Sequence, residues 1–317
     1  MSSRACSCSE QLSNTGTPGC QPLFKVAKKF ILVPTYDSTG ARNKLDAATL
    51  FTPALLTAKL NATDKTQRWY PTADLENVGG DREDSVFDTA PSGKKSFVKK
   101  GTRTVTAEVW DQGPEYAYQL EAARCNEFSI FVVDLEGNIR GMDLPTADGY
   151  LYPIRIDKNS FDVKPIFATD TTTEKLMITF DWAQSERDDL LRVISASDMT
   201  ADLLSAEGLL DISATYSSIS TTSVTITLEE RYGSKANKNK LSGLLETDFF
   251  DVAGGTAERL YNVTDASAVT IATFTESSDG VYVITFTAQT SADVIRVTPV
   301  KNGYDFADVT AETFAIP

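Results

Sequence analysis

Short runs of alternating apolar and polar residues recur along this chain, and the period of two predicts a mainly β protein. The run Thr102–Trp110 (TRTVTAEVW) places Arg103, Val105, Ala107 and Val109 on one face, with Thr104, Thr106, Glu108 and Trp110 on the other. Lys175–Trp182 (KLMITFDW) does the same, setting Leu176, Ile178 and Phe180 against Lys175, Met177, Thr179 and Asp181. Between them, Gly113-Pro114-Glu115 opens a helix with proline at its permitted first position. Ala117, Leu120, Ala123 and Arg124 follow at spacings of three and four, and the helix ends near Cys125 and Asn126. Phe128–Asp134 (FSIFVVD) then reads as a strand, Leu135–Asn138 as a turn, and Ile139 as the start of the return strand. Further strands are expected at Tyr152–Asp157, Ser160–Phe167, Leu209–Tyr216 and Ser223–Glu230, with a short helix over Gln184–Ile194.

The flanking regions read differently. Residues 1–22 are expected to form a flexible N-terminal arm, because Gly16, Pro18, Gly19 and Pro22 interrupt any regular element. Phe24–Val33 is the first strand, ended by Pro34. Residues 34–100 show little periodicity beyond a weak helix around Leu50–Leu60, so they are expected to be a long loop ordered against a neighbour. Trp69, Tyr70 and Pro71 would give that loop a rigid contact surface. Past residue 240 come short alternating runs at Ala268–Thr275, Val281–Thr287 and Val294–Val300, with turns at Ser277–Gly280 and Asn302-Gly303. That texture predicts three parts: the arm 1–22, an assembly domain 23–240, and a small C-terminal β-sandwich over 241–317. With no cysteine after Cys125, the sandwich would hold without an intersheet disulfide.

Composition narrows the chemistry. The chain of 317 residues has no histidine, which removes histidine-assisted nucleophiles, zinc hydrolases and imidazole proton shuttles. Its cysteines are at 6, 8, 20 and 125, and Cys6-x-Cys8 is too small a set for a closed metal site. They read as thiols of a flexible leader plus one buried Cys125. No apolar run follows the N-terminus, so no secretory signal is expected, and no stretch suits membrane insertion.

Acidic residues fall in several groups: Asp181 beside Trp182, then Glu186, Asp188 and Asp189, and the trio Asp81, Glu83 and Asp84. Nothing in the sequence sets one of them in apolar surroundings opposite another, so carboxylate catalysis is not expected. Asp143, Asp148, Asp157 and Asp279 read as turn formers rather than calcium ligands. Glycine-rich phosphate loops and a Gly-x-Ser-x-Gly elbow are both missing. Trp69, Trp110, Trp182, Tyr116 and Tyr118 are scattered over separate elements, which favours packing over a glycan groove. The expectation is therefore a non-enzymatic protein with no catalytic, cofactor-binding or metal-binding residues.

Charge is uneven. Residues 1–100 hold 14 basic and 10 acidic side chains, and residues 101–317 hold 16 and 34, for a net charge of −14. Such a chain does not attract nucleic acid in general, although DNA could slide along it without sticking. Lys235–Lys240 (KANKNK) reads as a solvated loop.

The order of features from Phe97-Val98-Lys99-Lys100-Gly101, through the strand to Trp110 and the helix Glu115–Arg124, to FSIFVVDLEGNIRGM resembles phage tail tube (major tail) proteins. The resemblance implies a tail-tube-like β-sandwich or barrel with one flanking helix, in which loop 34–100 reaches an adjacent subunit. It implies hexameric rings stacked end to end, contacts with other phage tail proteins and transient, non-specific passage of DNA. The protein would then belong to a virion assembled in the host cytoplasm. The chain beyond 240 resembles the Ig-like domains that decorate virions. Carboxylates lining the lumen would keep DNA moving. A receptor- or carbohydrate-binding fibre or adhesin, or a capsid or neck component, is the alternative.

Overall fold

The computed structural model describes residues 24–47, 51–144, 149–231, 238–249 and 260–317. The chain divides into two compact units, Met1–Gly208 and Leu209–Pro317. The first unit begins with β1 (Ala27–Pro34), β2 (Leu45–Asp46), helix α1 (Pro53–Leu60), β3 (Tyr70–Pro71), β4 (Leu75–Gly79), β5 (Val86–Thr89) and β6 (Lys95–Lys99). It continues with β7 (Thr104–Trp110), helix α2 (Pro114–Glu121), β8 (Phe128–Asp134) and β9 (Ile139–Met142). Its last strands are β10 (Tyr150–Leu151), β11 (Ile154–Arg155), β12 (Asp162–Ile166), β13 (Lys175–Asp181) and β14 (Leu191–Ile194).

Two sheets carry this unit. The first runs β14-β9-β8-β1-β3, with β11 also paired to β8, and the second runs β12-β13-β7-β4. Alternation decides how they meet. Phe30 and Leu32 of β1 and Ile130 and Val132 of β8 share a core with Val105, Ala107 and Val109 of β7 and Leu176, Ile178 and Phe180 of β13. The Phe30 and Phe180 rings meet edge to face across it at 5.4 Å.

The intervening residues of the first sheet turn the other way. Ile31, Val33, Phe131, Val133 and Ile139 pack with Leu56 of α1, Trp69, Met199 and Leu203. The central strands β1 and β8 are thus buried on both faces, which explains why they read as continuous apolar runs. Lys29, on the second of these faces, is buried and donates from Nζ to the carbonyls of Leu204 and Ala206, each at 2.7 Å. Those bonds satisfy an ammonium that burial would otherwise penalise.

Helix α1 starts where its sequence allows. The Thr52 hydroxyl accepts a hydrogen bond from Leu55 N at 3.3 Å, and Pro53 needs no donor at the first position. Helix α2 buries Ala117 and packs Tyr116 and Leu120 against the intersheet core. Ala73 N donates to the Tyr116 hydroxyl at 2.7 Å, and burial pushes that phenol up to about 12. Through α2 the chain passes from β7 in the second sheet to β8 in the first.

The second unit contains β15 (Leu210–Ser217), β16 (Ser223–Glu230), β17 (Leu260–Asn262), β18 (Ser267–Ala268) and β19 (Ile271–Ser278). It ends with β20 (Val281–Phe286), β21 (Val294–Val297), β22 (Tyr304–Asp305) and β23 (Thr313–Ala315). One sheet runs β19-β20-β16-β15-β22 and the other β18-β17-β21-β23. Both contribute to one core that includes Ile212, Val224, Ile226, Leu228, Tyr282, Ile284, Ile295 and Val297. The Tyr282 hydroxyl donates to Leu241 O at 2.8 Å and accepts from Leu244 N at 3.2 Å, so its polar end is satisfied inside that core.

Several expectations need correction. The protein is mainly β, but its sheets stay separate and, among the described residues, none closes into a barrel. The tail-tube-like sandwich or barrel is therefore overturned. Strands β7 and β8, on either side of α2, lie in different sheets. Among the described residues of 241–317 there is no clear Ig-like sandwich either. The sheet of β19 and β20 is continued by β16 and β15, which precede residue 240, and it ends in the parallel pair β15–β22.

Residues 34–100 contain α1 and five strands rather than a structureless loop. Trp69 is 2% exposed, stacked with Phe51 at 5.5 Å and close to Phe131 at 5.3 Å, so it anchors the core instead of a contact surface. Gln184–Ile194 forms a 3-10 turn and strand β14, not a helix. The arm 1–22, with Cys6, Cys8 and Cys20, and Asp148 lie outside the described residues.

Candidate functional site

Two features of the first unit are not accounted for by its cores. One is the hairpin β5–β6, a two-stranded sheet with no third strand among the described residues. Every residue of both strands is exposed. Phe87 and Phe97 are 53% and 59% exposed, with their rings edge to face at 5.9 Å, and Val98 is 57% exposed. Gly93, at φ +81°, supplies the left-handed turn residue, and Ala90 N donates to Lys94 O at 2.9 Å. Residues 86–100 carry Lys94, Lys95, Lys99 and Lys100 against the single acid Asp88, in a chain of net charge −14.

The hairpin is exposed at its strands but fixed at its root. Arg82 Nη2 lies 2.8 Å from Asp188 Oδ1, Arg103 Nη2 3.5 Å from the same oxygen, and Lys100 Nζ 3.9 Å from Oδ2. Arg82 Nη1 donates to Gly101 O at 3.1 Å and Glu83 N to Thr102 O at 2.9 Å. At Gly101 a Cβ would sit 1.8 Å from Glu83 O, so the two root segments approach closely only because this residue has no side chain. The hairpin is therefore held at a defined place on the unit.

The second feature is a cleft of about 160 Å³ at one end of the space between the two sheets. Its apolar part is formed by Phe24, Phe30, Val105, Ile130 and Val132, and Trp182, Arg103 and Arg140 also line it. Side-chain parity explains how the two arginines meet. Arg103 precedes β7 on the face of Val105 and Val109, while Arg140 of β9 pairs with Val132 and shares the face of Met142. Each sheet thus turns one arginine toward the other.

The Arg103 guanidinium carbon lies 4.6 Å from the centre of a Trp182 ring, and that of Arg140 3.8 Å from the Phe24 ring. Nε of Arg103, Nε of Arg140 and Nε1 of Trp182 are all buried with no hydrogen-bond partner among the described residues. Burial, reinforced by the charge of Arg103, lowers the pKa of Arg140, and Asp134 only partly opposes this. Asp134 is itself occupied, accepting from Lys25 N, Glu136 N, Asn138 N and Asn138 Nδ2, each at 2.9 Å.

Several of the acidic residues singled out by sequence are held by basic or hydroxyl groups. Asp181 accepts from the Thr104 hydroxyl at 2.6 Å, Asp188 holds the hairpin root, and Asp189 pairs with Arg187. Glu186, 5% exposed at its side chain, lies 3.7 Å from Arg42 and 3.9 Å from Arg155. Burial raises its pKa despite both cations. Asp81, Glu83 and Asp84 are exposed near the hairpin root. Asp143 pairs with Arg192 at 3.5 Å, and Asp157 accepts from Asn159 N within its own turn.

Among the described residues, no group of three or more Cys, Asp or Glu side chains is placed to hold a metal, and no helix is long and apolar enough to cross a membrane. The aromatic residues do not converge: Tyr116 is in the core, whereas Trp110 and Tyr118 are exposed. Cys125 is exposed, not buried as expected. Sequence placed Arg103 on the inward face of its strand but gave no sign of Arg140 opposite it. No protein-family model matches the chain, and no curated protein matches it either.

Proposed function

We propose that this chain is a non-enzymatic structural subunit that assembles with copies of itself, hairpin β5–β6 of one copy lying against an acidic face of the next. The carrying observation is a hairpin anchored at its root with every residue of both strands exposed. An isolated two-stranded sheet is marginal in water and leaves unpaired backbone groups at both edges. Exposed Phe87, Phe97 and Val98 give it apolar surface to bury. Its lysines favour contact with the acidic remainder of a second copy. A contact of this head-to-tail kind generates rings when the rotation closes. Together with the resemblance of residues 97–141 to tail tube proteins, this extends the proposal to hexameric virion rings stacked into a conduit for DNA.

Sedimentation velocity and electron microscopy over a concentration series test the proposal, comparing wild type with the double variant F87S/F97S. The wild-type chain is expected to form rings or tubes, and the variant to stay single with an unchanged circular dichroism spectrum. A wild-type chain that remains single at the highest concentration reached, or a variant that assembles equally well, would refute it.

A further inference from the structure

The cleft between the sheets is a separate matter from the hairpin. Buried hydrogen-bond donors in folded proteins are nearly always paired, and those that are not call for a water, an ion or a ligand. Three such donors belong to residues lining this one cleft: Arg103 Nε, Arg140 Nε and Trp182 Nε1. The lining also includes Lys25 and contains no acidic residue, although the chain as a whole is strongly acidic. Asp188, which faces Arg103 at 3.5 Å, is closer to Arg82 and does not line the cleft. The carboxylate whose charge reaches Arg140 is Asp134, and its oxygens already accept from Lys25 N, Glu136 N, Asn138 N and Asn138 Nδ2.

We propose that this cleft binds a small organic carboxylate whose body is flat and apolar. The two guanidinium groups lie against the Phe24 and Trp182 rings, which leaves for an oxyanion the Arg140 N–H edge and those N–H groups of Arg103 other than the Nη2 that faces Asp188. An anion between them relieves the repulsion between two half-buried cations drawn together by facing sheets. The rest of the ligand meets Phe30, Val105, Ile130 and Val132, so that part must be apolar. Size sets a further limit. A cavity of about 150 Å³ takes a benzene ring, and this cleft is about 160 Å³. Benzoate therefore represents the ligand class. Inorganic phosphate does not, since it carries charge on every side and would lose its hydration against the apolar lining.

Calorimetric titration of the full chain tests this, run at a concentration where sedimentation shows single particles, so that failure of self-assembly leaves the result readable. Benzoate is expected to bind saturably and at least about tenfold more tightly than neutral benzamide or inorganic phosphate. R140Q, with its fold checked by circular dichroism, is expected to weaken benzoate about tenfold. R140K is expected to fall between the two, because an ammonium keeps the charge but not the planar edge. Should R140Q fail to fold, R140K carries the comparison. No saturable binding of benzoate, equal binding of benzamide or phosphate, or arginine variants that bind benzoate like wild type would each overturn the proposal.

Discussion

Strands β1 and β8 and strands β5 and β6 both form antiparallel ladders, yet the first pair is buried on both faces and the second on neither. The contrast separates two sources of order. Backbone hydrogen bonds exchange for bonds to water at little net gain, so a ladder alone contributes modestly. Apolar area removed from water contributes about 25 cal/mol per Å², and that term favours β1 and β8. The hairpin has ladder, turn and anchored root but almost no burial. Its missing term is the one a partner surface would supply.

The contrast is broken most directly at Phe131, which is fully buried beside Trp69 in the layer behind β8. Phe131→Ala is expected to cost about 3–5 kcal/mol in denaturant unfolding of the first unit, by lost transfer energy and the cavity left behind. A loss below about 1 kcal/mol would mean that this layer does not hold the sheet as described.

A smaller effect is expected where a charge rather than a ring is buried. Burial raises the Glu186 pKa above its ordinary 4.5. The folded state therefore holds a proton that the unfolded state has already released, and stability falls as pH rises through the interval between the two values. Glu186→Gln is expected to flatten that fall in a series of unfolding curves from acid to neutral pH. An unchanged slope would show that Glu186 is not desolvated in its place between Arg42 and Arg155.

The smallest effect on stability belongs to the hairpin. Phe87→Ala with Phe97→Ala is expected to shift global unfolding of the unassembled chain by no more than about 0.5 kcal/mol, as for exposed sites generally. Amide exchange in residues 86–99 should quicken while β8 is unaffected. A loss of several kcal/mol in the single chain would place the hairpin within the core's cooperative unit and remove the contrast with β1 and β8.

Much of the local structure was legible. Period-two patterning placed Val105, Ala107 and Val109, and likewise Leu176, Ile178 and Phe180, on single faces, and those faces are buried. Pro114 and the spacing of Ala117 and Leu120 marked a helix that buries Ala117. Residues 34–100 were less legible because their strands are short and their burial uneven. Periodicity needs several residues to register, and β2 and β3 have two each. Trp69 read as surface because a lone tryptophan carries no period, whereas its burial depends on Phe51 and Phe131, distant in sequence.

For the candidate features, the balance differs. The lysines and phenylalanines of residues 86–100 stood in the sequence, but their exposure on both faces did not, since the same residues suit a half-buried strand. Arg103 could be assigned to an inward face by counting. Its encounter with Arg140 needed the facing of two sheets.

By itself, the sequence determined strand-rich composition, the inward and outward faces of its longer strands, the helix after Trp110, the acidic balance and the lack of histidine chemistry. Each of these follows from residue identity or from spacing within a few positions. Tertiary structure alone decided that β7 and β8 belong to different sheets, that β16 completes the sheet of β20, that Arg103 and Arg140 share a cleft, and that one hairpin is left uncovered. Alternation tells a strand which side faces inward, but its partner is chosen by burial summed over residues far apart in the chain.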